Sequence, residues 1–291
     1  MAIRLKQTPD GGTSADSISR EQWLQRRLPG LLTEVWLRAQ SIVLYVFLYA
    51  PIAVVVFFSF NNSRRVTIWN GFTTKWYGAV WTDPEWANSL HVSLLVASLN
   101  MLIAVALGTL AAVGMRAAPR WLRICFEGVV YMTIITPEIV IAVASLLYFV
   151  LVLPIGQGVA AMVISHAVYN TSIVTLIVSA RLAGMDRTLE EASADLGATP
   201  FVTFWRITVP QLLPAILAGA LLAFTFSFDD FILSNFLSAA GTTTLPVRLF
   251  SEVQFGVSPE FNALAATMLT VTLSAIIIAQ LVLRRSGGRE A

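Results

Sequence analysis

The sequence predicts an all-α, polytopic membrane protein. Of its 291 residues, 56% are hydrophobic and only 12% are charged, whereas soluble domains carry about 25% charged residues. Six stretches are apolar over the roughly 20 residues that a helix needs to cross a bilayer. These observations exclude an ordinary soluble enzyme, a disordered protein and a nucleic-acid binder. The single cysteine, Cys125, also excludes a disulfide framework.

The six apolar stretches divide the chain into a central membrane domain, residues 36–283, and two tails. Residues 1–35 form the predicted N-terminal tail, with a short surface helix at about Arg20–Leu28, and residues 284–291 form the C-terminal tail. The predicted spans are Trp36–Phe60, Leu90–Met115, Ile124–Leu153, Val159–Ser179, Leu212–Leu237 and Ala263–Leu283.

The basic residues predict the orientation. Fifteen lysines and arginines lie in the tails, the second–third loop and the fourth–fifth loop, against four on the other side. Cytoplasmic segments carry the excess of positive charge. Both termini are therefore expected in the cytoplasm, which agrees with an even number of spans.

The first external connection, Asn61–Ser89, is long and holds four tryptophans. Tryptophan and tyrosine favour the headgroup region, so one interpretation is a helix that anchors the chain at the membrane interface. The other interpretation is a docking surface for an external partner.

The cytoplasmic loop 181–210 is too long for a simple turn and reads as two short helices. Asp186 can cap a helix over Arg187–Leu196, and Gly197 can supply the left-handed residue that ends it. Thr199 and Pro200 favour the start of a second helix that runs to about Arg206, before Pro210 leads into the fifth span.

Three aromatic residues of this second helix, Phe201, Phe204 and Trp205, form a cluster too apolar to be left in water. Such a helix pair suits the groove of a soluble partner. The alternative is that the pair packs flat against its own membrane helices.

The loop resembles the "EAA" loop of binding-protein-dependent ABC importer permeases of type I. Glu191-Ala192-Ser193, Gly197 and Ile207-Thr208-Val209-Pro210 have the spacing of that motif, with Ser193 in place of its second alanine and Val209 in place of leucine. The resemblance implies that Leu189–Gly197 is a coupling helix that docks on an ATP-binding subunit. The residues expected to serve this coupling are Glu190, Glu191, Ala192, Gly197, Ile207 and Pro210.

The chain contains no Gly-x-x-x-x-Gly-Lys-[Ser/Thr] phosphate-binding loop. It is therefore expected not to be an enzyme. If ATP drives its work, a partner subunit hydrolyses the ATP.

Three acids lie deep inside predicted spans, Glu138, Asp229 and Asp230, whereas Glu127 lies one turn from the cytoplasmic end of its span. At about 1.5 Å per residue, Glu138 and Asp229 lie about 21–23 Å from the cytoplasmic side, at a common level. Pro137 should kink the third span there. No lysine or arginine of the spans lies at that level, so a proton, a cationic solute or a partner subunit must balance the carboxylates.

Aromatic residues beside these acids favour an amine, through cation–π contact together with charge pairing. The predicted substrate pathway comprises Asp229, Asp230, Glu138, Phe226, Phe228 and Tyr169. Asp229 is expected to matter most, because Ser227 and Ser234 could satisfy Asp230. The alternative is structural: an aspartate caps a break in the fifth helix.

A second resemblance concerns the solute. The run Ser227–Ser234, the run Gly256–Ala265 and the segment around Trp69–Tyr77 are similar to spermidine/putrescine importer permeases, over about Ile42–Leu283. This implies a bacterial inner-membrane permease that passes polyamines inward within the lipid bilayer. The implied partners are two ATP-binding subunits, a second permease and an extracytoplasmic polyamine-binding protein, with no cofactor, metal or nucleic acid.

Three alternatives stay open. Importers of iron(III), thiamine or phosphonate share the same loop. An intramembrane aspartyl protease would need two aspartates on separate helices, one in a Gly-x-Gly-Asp setting, whereas Asp229 and Asp230 are adjacent and lack that setting. An assembly protein without a solute pathway is the third.

Overall fold

A computed structural model describes residues 20–63, 68–256 and 258–287, and these are almost entirely helical. A single antiparallel bridge joins Asn61 to Phe72. The described ranges contain twelve α-helices and one π-helical turn, Phe204–Thr208. The helices are α1 (Arg20–Phe58), α2 (Lys75–Thr82), α3 (Pro84–Ala117), α4 (Arg120–Ile135), α5 (Glu138–Leu151), α6 (Val159–Ala183), α7 (Thr188–Asp195), α8 (Pro200–Thr203), α9 (Val209–Phe228), α10 (Ile232–Leu237), α11 (Leu245–Phe255) and α12 (Pro259–Gly287).

The centre of the molecule is the packing of α3, α6 and α9 around Val174. A Cβ atom on Gly108 of α3 would lie 2.7 Å from Cβ of Val174, and one on Gly219 of α9 would lie 3.4 Å from its Cγ1. The two glycines thus let three helices approach closely around one fully buried side chain. Small residues at such contacts are typical of membrane helices.

The prediction of a membrane protein is confirmed in its coarse form. Four helical segments in the described ranges are long and apolar enough to cross a bilayer, and a bent pair of helices would make a fifth. The predicted sixth span lies within α12, which is not one of these segments. The four segments are Thr33–Phe58, Pro84–Ala117, Val159–Ala183 and Pro200–Phe228.

The third predicted span is not one continuous helix. α4 ends at Ile135, α5 starts at Glu138, and the two are bent by 105°. The kink expected at Pro137 is therefore present, and it divides the predicted span into two separate helices. Proline has no backbone N–H for the helical ladder and clashes with the preceding turn, so the break falls at this residue.

The fifth predicted span, Leu212–Leu237, is also wrong as a continuous helix. α9 ends at Phe228, and α10 begins at Ile232 after a break of three residues. The Asp230 carboxylate accepts hydrogen bonds from the backbone N–H groups of Leu233 (3.3 Å) and Ser234 (2.7 Å). Asp230 thus caps the new helix, as the structural alternative proposed.

The first helix is longer than predicted. Instead of a separate surface helix at Arg20–Leu28, α1 begins at Arg20 and continues unbroken to Phe58. Extension of a formed helix adds one hydrogen bond per residue, so the polar segment continues the apolar one. The rest of the predicted tail, residues 1–19, lies outside the described residues.

The external connection is a folded cap over α11 and α12. The indoles of Trp76 and Trp86 are buried with Leu245 and Ala263. The Trp76 indole N–H donates to the backbone oxygen of Asn61 at 2.7 Å. These two tryptophans therefore belong to the protein core instead of a membrane-interface anchor.

The cytoplasmic loop begins as predicted. The Asp186 carboxylate accepts a hydrogen bond from the backbone N–H of Thr188 at 3.0 Å, at the start of α7. Gly197 has a φ of +80° after the end of that helix. Thr199 accepts from the N–H of Val202, with Pro200 in the first turn of α8.

The end of the second loop helix differs from the prediction. It does not stop at Arg206 but passes through the π-helical turn directly into α9. The N–H of Val209 donates to the oxygen of Phe204, five residues back. Because Pro210 cannot donate to the carbonyl of Arg206, a wider turn at this place lets the helix continue.

Candidate functional site

A cavity of about 550 Å³ lies where the break between α4 and α5 meets the break between α9 and α10. All three predicted intramembrane acids, Glu138, Asp229 and Asp230, line it, and we call it the acid cavity. No lysine or arginine is among the described residues that line it. Two helix breaks from different parts of the chain thus bring three carboxyl groups together.

Asp230 is the buried member of the three, and the protein itself satisfies it. Besides the two backbone N–H groups of α10, Nε2 of His166 lies 3.2 Å from its Oδ2. This contact is at ion-pair distance but off the line of a straight ring hydrogen bond. The partners expected for Asp230, the hydroxyls of Ser227 and Ser234, are not the ones found, because Ser227 bonds His166 and Ser234 contributes its backbone N–H.

His166 is a residue of the cavity that sequence reasoning missed. Its Nδ1 shares a hydrogen bond of 2.6 Å with the hydroxyl of Ser227 at the end of α9. His166 thus ties α6 to both sides of the α9–α10 break. The signal was its spacing: it precedes Tyr169 and Asn170 by three and four residues, which places all three on one helix face.

Glu138 is the first residue of α5, and its carboxyl group lines the same cavity as that of Asp230, close enough for their charges to interact. The cavity thus brings Glu138 and Asp230 close together, whereas the common depth predicted for Glu138 and Asp229 stays a prediction. Two neighbouring carboxylates repel each other unless a proton or a cation lies between them. Tyr169 of α6 is close enough to interact with the charge on Glu138.

Asp229 is the exposed member of the cavity. Its backbone N–H donates to the oxygen of Thr225 and so ends α9. Within the described residues, no hydrogen bond or ion pair to its carboxylate is found. Asp229 and Glu138 are therefore the carboxyl groups that face the open volume.

The predicted aromatic residues separate onto two faces of α9. Phe226 is 49% exposed and lines the acid cavity together with Tyr169. Phe228 does not line it: its ring stacks on Phe224 at 5.8 Å and borders a separate apolar cavity beside Trp86. Residues two apart on a helix lie about 200° apart, so these two rings cannot share a face.

Among the described histidines, cysteines, aspartates and glutamates, no group of three has an arrangement that could hold a metal ion.

The loop 181–210 is the second candidate region, and it presents apolar side chains to solvent. Leu196 is 89% exposed, Phe201 72% and Trp205 55%. The alternative in which the loop packs flat on the membrane helices is therefore wrong for these side chains. Glu191 and Ala192 of α7 are exposed as well.

Glu190 points the other way. Its carboxylate accepts two hydrogen bonds from Nη1 of Arg116 on α3, at 3.1 and 3.2 Å, and one from the Thr208 hydroxyl at 2.9 Å. Of the other predicted coupling residues, Ile207 is half-buried and Pro210 is exposed.

Ser193, where the EAA motif has alanine, also points inward. It is buried, and its hydroxyl shares a hydrogen bond of 2.9 Å with that of Thr203. The departure from the motif therefore supplies a polar link between α7 and α8.

Comparison with known proteins places both regions in one family. Residues 104–287, which include the acid cavity and the cytoplasmic loop, match the family described as "Binding-protein-dependent transport system inner membrane component". The chain belongs to this family, whose members are membrane transport subunits.

Two relatives are named by the solute they carry. The chain is 39% identical over 231 residues to the putrescine transport system permease protein PotI of Escherichia coli (strain K12), covering 77% of this chain and 82% of that protein. It is 35% identical over 241 residues to the spermidine/putrescine transport system permease protein PotC of the same organism, covering 83% and 91%. The resemblance to this group of permeases is thereby confirmed.

Solved structures agree on the fold. A bacterial ABC transporter involved in the import of the acidic polysaccharide alginate matches with a TM-score of 0.71 at 16% identity, over 91% of this chain and 99% of that one. An amino acid ABC transporter matches with a TM-score of 0.53 at 20% identity, over 74% and 100%. The fold is that of an ABC transporter permease, and the aspartyl-protease alternative has no support.

Proposed function

We propose that this chain imports polyamines as one permease of an ATP-driven transporter in the bacterial inner membrane. It crosses the membrane six times, with both termini in the cytoplasm, and residues 36–283 form its membrane domain. Two ATP-binding subunits dock below it, a second permease stands beside it, and an extracytoplasmic polyamine-binding protein delivers the solute.

The acid cavity is the observation that carries this proposal. Its open volume is faced by the carboxyl groups of Glu138 and Asp229, and Phe226 and Tyr169 offer aromatic faces. A carboxylate attracts an ammonium group by charge, and an aromatic face adds cation–π attraction. Because a polyamine carries several ammonium groups, more than one carboxyl group can be satisfied by a single solute.

The relatives and the structural neighbours bear on the solute differently. The two permeases named above are a putrescine and a spermidine/putrescine permease. The alginate transporter has the same fold and handles an acidic polymer. The fold therefore does not determine whether the solute is a cation or an anion. A cavity lined by three carboxyl groups, with no lysine or arginine among the described residues around it, disfavours an anion.

The mechanism that we propose for the chain has two parts. In the membrane, Glu138 and Asp229 hold the ammonium groups while His166 keeps Asp230 in place. In the cytoplasm, the exposed side chains of Leu196, Phe201 and Trp205 enter a groove of the ATP-binding subunit, as apolar helix faces do. Movement of that subunit then reaches the cavity through the loop 181–210.

Uptake by the complete importer in proteoliposomes tests the solute. Labelled putrescine and spermidine should accumulate only when ATP and the binding protein are present. An excess of unlabelled polyamine should block this accumulation, and an anionic sugar at the same concentration should not. Equal competition by the anion would contradict the assignment.

Cysteine labelling tests the orientation. In a chain with Cys125 removed, cysteines that replace Lys75 or Trp81 should react with an impermeant thiol reagent in intact cells. Cysteines that replace Arg187 or Leu196, both exposed in the structure, should react only in broken cells. The opposite pattern would overturn the proposed topology.

A further inference from the structure

The carboxylate of Glu190 is the meeting point of three helices at the base of the molecule. It joins α7 to Arg116 in the last turn of α3 and to Thr208 just before α9. The side chains of Arg116 and Glu190 are only 18% and 24% exposed. An ion pair with several hydrogen bonds and little exposure to solvent is stronger than an exposed surface pair, because its geometry is fixed and its charges are less screened.

A fourth helix is attached at the same place. The guanidinium of Arg123, on α4, donates to the backbone oxygens of Met115 (3.1 Å) and Arg116 (2.8 Å). These carbonyls belong to the end of α3, where a cation is favoured by the helix dipole. α4 is therefore bound to the same turn of α3 that holds Glu190. We call Arg116, Arg123, Glu190 and Thr208 the Glu190 cluster.

Two of the helices that start at this cluster end at the acid cavity. α4 runs from Arg120 to the break before Glu138, and α9 runs from Val209 to the break that holds Asp229 and Asp230. At about 1.5 Å per residue they are rods of about 24 and 30 Å. The cluster thus lies at one end of both rods, and the acid cavity, lined by Glu138, Asp229 and Asp230, lies at the other.

We infer that Glu190 and Arg116 are positioning residues that pass the movement of the coupling helix α7 to the two rods and so to the acid cavity. A displacement of α7 pulls on α9 directly through Thr208 and on α4 through Arg116 and the turn bound by Arg123. Both helix breaks then move relative to each other, and the carboxyl groups at the cavity separate or close. This role rests on the proposed function of the loop.

Charge exchange in the complete importer tests the inference. The variants are Glu190→Arg, Arg116→Glu and the double exchange, and Arg120→Glu is the matched control. Arg120 is an exposed arginine of α4 for which the described residues show no ion pair. Two quantities are measured: the amount of ATP-binding subunit that co-purifies, and the stimulation of ATP hydrolysis by the solute-loaded binding protein.

Each single exchange should retain the ATP-binding subunit and lower the stimulation by about threefold to tenfold, a size typical of mutations within a coupling network. The double exchange should recover most of the stimulation, and Arg120→Glu should behave as the unchanged protein. A role confined to stability would lower the yield of complex without changing the stimulation per complex.

Glu190→Gln keeps the inference testable if the reversed charges prevent assembly, because glutamine preserves the shape and the contact to Thr208. Unchanged stimulation in Glu190→Gln, or a double exchange no better than the single ones, would overturn the inference. If the unchanged complex transports no polyamine but its ATP hydrolysis still responds to the cluster variants, the proposed solute fails and the transmission role stands.

Discussion

The chain contains two pairs of adjacent acids, Asp229–Asp230 at the acid cavity and Glu190–Glu191 in the loop 181–210. The two pairs have the same arrangement. In each pair one carboxylate turns inward and is held by a base: His166 for Asp230 and Arg116 for Glu190. The other carboxylate stays exposed, with no hydrogen bond or ion pair to it found in the described residues.

The two pairs differ in what surrounds the inward acid. Asp230 is held by two backbone N–H groups and a buried imidazole at a helix break. Glu190 is held by two side chains at the edge of the molecule. Loss of Asp230 should therefore lower the stability of the fold, whereas loss of Glu190 should weaken the transmission of movement from α7 to the acid cavity. The exposed partners should affect binding alone.

The largest effect should come from Asp230→Ala. This change removes the acceptor of two backbone N–H groups of α10 and the partner of His166, and each buried donor left unsatisfied costs about 1–3 kcal/mol. Thermal unfolding of the purified chain in detergent measures it. Asp229→Ala should shift stability by no more than about 0.5 kcal/mol. Equal losses in both variants would erase the distinction between inward and exposed acids.

Asp229→Asn and Glu138→Gln should lower polyamine uptake about tenfold or more while leaving thermal stability close to normal. Each removes one charge that faces the open cavity, and a lost charge pair away from water readily exceeds the 1.4 kcal/mol that corresponds to tenfold. Uptake at matched expression is the measurement. Normal uptake in both variants would make the carboxylates structural.

Gly197→Val should destabilise the loop by about 1–2 kcal/mol, because φ there is +80° and a side chain disfavours that conformation. A Cβ atom would meet no other atom within 4 Å, so the cost is conformational and not steric. Hydrogen exchange of the amides of α7 and α8 measures it. Gly114→Ala, at an equally open helical position, is the control and should be neutral or slightly stabilising.

Glu191→Lys should weaken retention of the ATP-binding subunit without altering the stability of the permease. The Glu191 carboxylate is exposed and forms no hydrogen bond or ion pair within the described residues. Reversal of its charge should therefore affect only the contact with an external partner. Co-purification at increasing salt measures the effect, because an exposed charge contact is screened by salt. A change in melting temperature instead would point to an internal role.

The smallest effect concerns Asp186. The backbone N–H of Thr188 lowers the pKa of this carboxyl group below its usual range. A lowered pKa means that the cap stabilises α7 above the ordinary aspartate pKa and is lost as the pH falls through the lowered value. Hydrogen exchange at the start of α7 should therefore differ between the unchanged protein and Asp186→Asn near neutral pH. The difference should vanish in strong acid.

The limits of sequence reasoning are visible in the helix breaks. Pro137 made the break in the third span predictable, because proline disrupts the helical hydrogen bonds of its own turn. The break in the fifth span lies in an apolar run without proline or glycine. It exists because Asp230 finds two N–H groups and, from a helix sixty residues earlier, the imidazole of His166.

Local physics therefore let the sequence determine the membrane class, the caps at Asp186 and Thr199, and the left-handed Gly197. Each of these depends on hydrophobicity or on hydrogen bonds between close neighbours in the chain. Only the tertiary structure decided which of two adjacent acids is satisfied and which ring lines the cavity. Those outcomes depend on helices that are distant in sequence and meet only in the folded protein.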